Sequence, residues 1–119
     1  MHYFDGIVLA VPRANKAAAH EFSLAVNGGW LEHGALRVVR GWGIEIPEGK
    51  QTDFRRAVAA TEDEDIVFGW VEWPDKATRD AGMEKMRSGD GPRPVPPFDA
   101  SRLIFGGFEV TYDTQGEAK

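Results

Sequence analysis

A chain of 119 residues with 42% hydrophobic and 28% charged residues has the composition of one globular domain, taken here as residues 1–119, with enough apolar material for a core. Its 14 Lys and Arg against 19 Asp and Glu give a net charge of −5, which leaves no basic surplus to neutralise phosphates and argues against a nucleic-acid partner. The absence of cysteine removes disulfides, thiolate nucleophiles and cysteine metal sites together. With no basic-then-apolar leader pattern and no apolar run of membrane-spanning length, the chain is expected to be cytoplasmic and to have no membrane partner.

In chain order, residues 3–11 are rich in Val, Ile and aromatics and read as a strand stopped by Pro12. Residues 14–32 follow as a helix, with Ala18, Phe22, Ala25, Val26 and Trp30 forming its apolar stripe and Gly34 placed as a C-terminal cap; Gly28 and Gly29 are its weak point. A second strand is expected over 36–44, before the turn signal Pro47-Glu48-Gly49. Residues 52–60 read as a short helix capped by Thr52 or Asp53, and 62–65 as a solvated acidic loop. A third strand covers 65–73 and stops at Pro74. Asp75 then caps a helix over 76–87 whose inner face is expected to carry Ala77, Ala81 and Met86. The Pro/Gly-rich stretch 89–97 cannot be regular, and 102–112 alternates as a fourth strand.

This order, with a Pro-punctuated strand-to-helix step in each half, predicts an α+β fold: a ferredoxin-like βαββαβ antiparallel sheet with its helices on one face. The most continuously apolar strands, the first and third, belong at its centre. Both sheet faces are apolar. Phe4, Val8 and Ala10 oppose Tyr3, Ile7, Leu9 and Val11; Ile66, Phe68 and Trp70 oppose Val67, Val71 and Trp73; Leu103 and Phe105 oppose Ile104, Phe108 and Val110. Two main helices cover one face, so the other is expected to meet a second copy, giving a homodimer.

Few residues signal chemistry. His2, His20 and His33 share no metal-ligand spacing, Gly41-x-Gly43 lacks the third glycine of a dinucleotide loop, and Ser23, Ser88 and Ser101 sit in no nucleophile elbow. No metal and no cofactor are expected. His33, beside Trp30 at a helix end, could exchange protons near neutrality or simply complement the helix dipole. Four tryptophans, with Trp42 and Trp70 mid-strand, suit either an aromatic cavity or plain packing. Arg40, like Arg37, Arg55, Arg56 and Arg102, could hold a carboxylate or pair with a surface acid. The candidate ligand-binding set is therefore Trp30, His33, Arg40, Trp42, Phe68 and Trp70, with His33 the single catalytic candidate.

Several stretches carry a resemblance: Tyr3-Phe4-Asp5-Gly6, Trp30-Leu31-Glu32-His33-Gly34-Ala35-Leu36, Trp42-Gly43, Pro47-Glu48-Gly49-Lys50, Phe54 with Arg56-Ala57-Val58, and Pro97-Phe98-Asp99 followed by Arg102-Leu103-Ile104-Phe105-Gly106-Gly107-Phe108-Glu109. The chain resembles the YbaA-like bacterial proteins, a domain of unknown function, over nearly its whole length. It departs from a frequent family pattern at Gly41 (often Cys) and Arg55 (often Pro). The resemblance implies a dimeric α/β-barrel. It also implies a superfamily of ligand binders, cofactor-independent monooxygenases, haem-degrading enzymes and lactone isomerases. Three functions follow as expectations: a dimer binding a small organic molecule; a monooxygenase- or isomerase-like enzyme for an aromatic or polyketide-like compound; or a structural or stress-related dimer without ligand.

Overall fold

The computed structural model describes residues 1–89 and 94–115. Strand β1 (Tyr3–Pro12) leads through a 3-10 turn (Arg13–Asn15) into helix α1 (Lys16–Glu32) and strand β2 (Arg37–Trp42). A short helix α2 (Phe54–Ala57), strand β3 (Glu64–Trp73), helix α3 (Lys76–Ser88), a second 3-10 turn (Ala100–Arg102) and strand β4 (Ile104–Glu109) complete the order. All pairings are antiparallel and the sheet order is β2-β3-β1-β4, which puts the two most apolar strands in the middle. The chain is thus an α+β protein built on one four-stranded antiparallel sheet.

Local chemistry sets the boundaries. Asp75 caps α3 by accepting from the Thr78 amide at 2.8 Å, and Asp53, not Thr52, caps α2 through the Arg56 amide at 2.8 Å. Gly34 closes the α1 turn at φ +112°, a conformation that side-chain-bearing residues rarely adopt. The strands β2 and β4 are shorter than their apolar pattern predicts, because pairing with β3 and β1 ends at Trp42 and Glu109. Of the irregular stretch 89–97, residues 90–93 lie outside the described ones; 94–96 have no regular structure.

The face carrying α1 and α3 holds two clusters. Leu9, Val11, Ala19 and Val67 pack with Ile7, Trp42, Phe98 and Leu103; Ala35, Val71 and Trp73 pack with Tyr3, Trp30 and Val38. Both helices are phased differently from the sequence expectation. Ala19 rather than Ala18 is buried on α1, where Phe22, Val26 and Trp30 do lie toward the interior; Ala18 and Ala25 are exposed. On α3, Ala77 and Ala81 are exposed, while Met86 lies inward against Gly29 of α1 as expected, Gly82 is buried and Arg79 reaches the interior. On α3 the physical reason is a polar anchor. Asp5, 2% exposed near the start of β1, accepts from the Trp73 indole Nε1 at 2.9 Å and from Arg79 Nη2 at 2.8 Å. The pair turns a cationic edge of α3 toward the sheet.

The expectation that helices occupy one face is corrected by α2. Val58, just past it, packs with Val8, Ala10 and Ile66 on the opposite face, supported by Ile46 and Ala60, so the β2–β3 connection covers one end of that face. The acidic stretch 62–65 is also more than a solvated loop. Glu64, 4% exposed, opens β3 and binds Arg102 Nη2 at 2.6 Å and Arg102 Nη1 at 2.8 Å. Its carboxyl is held down at about 2 by those bonds and by the Thr61 amide, against the opposing effect of burial. A buried carboxylate is tolerable here because each oxygen has a charged donor.

The remainder of the helix-poor face stays open. Phe68, Ile104 and Phe108 are 46%, 45% and 51% exposed, and Phe4 stacks on Phe108 at 5.3 Å. The paired Gly6 and Gly106 floor a shallow hollow of about 230 Å³ between these rings.

Candidate functional site

A concavity lies on the helical side, between α1 and β2. Its volume is about 690 Å³, within the range of small-molecule sites. The floor is apolar: Val38 and Trp42 on β2, Val67 on β3 and Ala19 and Leu24 on α1. Along one edge run Lys16, His20, Ser23 and Asn27, spaced so that they share one side of α1. The most buried stripe of the helix, Ala19, Phe22, Val26 and Trp30, lies beside this row.

Arg40 rises from β2 into this cleft. Its cross-strand partner is Gly69, and a Cβ there would come within 2.8 Å of the Arg40 Cδ and Nη1. The missing side chain therefore makes the trough in which the arginine lies. The guanidinium's hydrogen bond is a long one, from Nη1 to the Val39 carbonyl at 3.4 Å, and among the described residues it has no carboxylate partner. Burial pushes its pKa below the ordinary arginine value, although such a group stays cationic at neutral pH.

Trp42 forms the inner wall. Its Nε1 donates to Asp65 Oδ2 at 3.1 Å, and the Lys16 ammonium sits 5.1 Å from the ring centroid. Asp65 is fully engaged elsewhere, because Arg13 Nη2 meets its Oδ1 at 3.0 Å; that bond, more than any other, lowers the Asp65 pKa against the effect of burial. The Asn27 side chain also lines the cleft, and its Oδ1 is buried without a hydrogen-bond partner.

Of the six candidate residues, the structure brings Arg40 and Trp42 together in this cleft. Trp30 lies in the second cluster, edge-on to Trp73 at 6.0 Å. His33 is the C-cap of α1, where its backbone N–H closes the helix onto Gly29 and Trp30, and it does not line the cleft. Phe68 and Trp70 point to the opposite face, 6.2 Å from each other. The other arginines are structural: Arg37 pairs with Glu72 at 3.1 Å, Arg56 with Glu48 at 3.2 Å, and Arg55 donates to the Glu64 and Thr61 carbonyls. The row Lys16, His20, Ser23 and Asn27 was legible in sequence as a polar edge at helical spacing, but nothing marked it off from a solvated helix face.

The fold and its site define a small α+β protein with a basic-rimmed cleft; among the described residues no group of three or more His, Asp or Glu could hold a metal ion. No helix among them is long and apolar enough to cross a membrane. The chain belongs to the family described as protein of unknown function DUF1428, whose model matches residues 2–99. It is 45% identical over 116 residues to the uncharacterized protein YbaA of Escherichia coli K12, across 95% of this chain and 99% of that protein. The YbaA proteins of Escherichia coli O157:H7 and Shigella flexneri match with the same identity and coverage.

Proposed function

We propose that this chain is a cytoplasmic binding protein that holds a small organic molecule in the cleft between α1 and β2, and that it works as a homodimer on the ferredoxin-like, dimeric α/β-barrel plan. The observation that carries the binding reading is the cleft itself: about 690 Å³, with apolar walls and a few convergent polar groups. A catalytic reading has less support. Ser23 and His20 share the rim, but among the described residues no hydrogen bond joins them, so no activated nucleophile is assembled. The dimer reading rests on the open face where Phe68, Ile104 and Phe108 are exposed, apolar surface that is costly to leave in water. Pairing there leaves the cleft, on the other side of the sheet, free. The absence of cysteine suits a reducing compartment.

The test is a small-molecule screen read by amide and indole NMR shifts. Hits that move α1, β2 and the Trp42 indole support the site. Hits that move only the Phe68 and Trp70 face, or no hits, count against it. Sedimentation at micromolar concentration tests the dimer, whose interface should bury about 2,000 Å² or more in total. A stable, folded monomer would overturn that part.

A further inference from the structure

We infer that the molecule held in this cleft is a flat organic carboxylate, bound with its acid group on Arg40 and its ring against Trp42, Val38 and Val67. The inference rests on the binding reading above and names its ligand class.

The charges of the site set the argument. Three cationic or ionisable basic groups, Lys16, His20 and Arg40, line the cleft, and no Asp or Glu among the described residues does so, in a chain whose net charge is −5. Acidic residues are in surplus, yet none among the described residues forms an ion pair with Arg40. Every other arginine discussed above has a carboxylate or a pair of backbone carbonyls; Arg40 has one long bond to the carbonyl of its own neighbour. A partly buried cation without a counter-ion lowers stability, and the chain retains it in a trough opened by Gly69. The acid closest in kind, Asp65, is taken by Arg13 and the Trp42 indole, which also locks the indole plane as a wall.

The guanidinium fork matches a carboxylate with two parallel N–H···O bonds, a geometry that a lysine ammonium lacks. Lys16, stacked over Trp42 at the rim, adds positive potential where an anion would enter. Beyond the charged end the walls are apolar and one of them is a large planar ring, which favours a planar body over a sugar or a polyol.

The experiment compares naphthoate with the neutral naphthamide at neutral pH, by NMR titration of the wild-type chain and of Arg40→Met, Arg40→Lys and Arg37→Ala. Naphthoate is expected to bind about ten- to a hundredfold more tightly than naphthamide, the worth of charge-assisted hydrogen bonds. Arg40→Met should bring naphthoate to about the naphthamide level measured on the same variant, since the charge-assisted contact that separates the two probes is removed. Arg40→Lys should recover part of the preference, and Arg37→Ala, on the other face of β2, none of the loss. Equal binding of the two probes to wild type would overturn the carboxylate inference and leave the cleft reading standing. A preference for naphthoate that survives Arg40→Met would overturn the assignment to Arg40. No binding of either probe, or shifts confined to the Phe68 face, would overturn both. The wild-type comparison decides the ligand class even if an Arg40 variant fails to fold.

Discussion

Replacing Arg79 by Met should strand a buried charge. Asp5 is 2% exposed, and Arg79 meets it through Nη2 at 2.8 Å and through Nε at 3.1 and 3.2 Å. After Arg79→Met the carboxylate keeps the Trp73 Nε1 bond at 2.9 Å and no cation. Methionine retains most of the side-chain stem, so the loss is chiefly that of the guanidinium: the pair with Asp5, the partly exposed pair with Asp80 at 2.9 Å and the stack over the Tyr3 ring at 5.2 Å. Removing one partner of a buried pair costs about 3–5 kcal/mol. The Arg79 side chain is 18% exposed, which lets water approach, so the lower end of that range applies: about 3 kcal/mol, or a fall of roughly 10–15 °C in Tm. Urea denaturation at one fixed protein concentration measures it, because a dimer's apparent stability depends on concentration. The control is Asp5→Asn added to Arg79→Met. The amide oxygen still accepts from Trp73 but carries no charge, so the double variant should be more stable than Arg79→Met alone by about 1–2 kcal/mol. A cost below about 1 kcal/mol for Arg79→Met, or a double variant as unstable as the sum of its singles, would refute the stranded-charge argument.

Four further outcomes are expected. Glu64, whose carboxyl is held at about 2 against an ordinary 4.5, gives stability that is full above about 4.5 and is lost as pH falls from there to about 2; Glu64→Gln should flatten this acid limb in thermal melts across that window. Val58→Ala removes two methyl groups from a site 1% exposed and should cost about 2 kcal/mol while making residues 44–60 more sensitive to limited proteolysis, which a gel time course reads. Phe108→Lys places a charge in the open apolar face and should shift the sedimentation boundary to monomer without altering naphthoate binding. His33→Ala should leave ligand shifts unchanged and lower Tm by only a degree or two, since His33 caps α1 through its backbone; altered ligand binding would place the site elsewhere.

Element order, the central position of the first and third strands and the caps at Asp53 and Asp75 were legible in the sequence, because they depend on local patterns: apolar runs, proline stops, and a side chain reaching an amide three residues on. The apolar character of both sheet faces was legible too, since alternation along a strand assigns each residue a side. Three things were decided only by the tertiary structure. The phase of α3 follows from the Asp5–Arg79 pair, a contact between residues 74 apart that makes a charged edge the inner one; hydropathy, which counts arginine as outward, puts Ala77 and Ala81 inside instead. The opposite face is partly covered by Val58 and Ile46 because the β2–β3 connection folds back across it, and nothing local fixes where a loop docks. The cleft joins Arg40 and Trp42 to a row on α1 and parts them from Trp30, His33, Phe68 and Trp70, because a site is set by which surfaces the fold brings face to face, and helix and strand periodicity describe each surface alone.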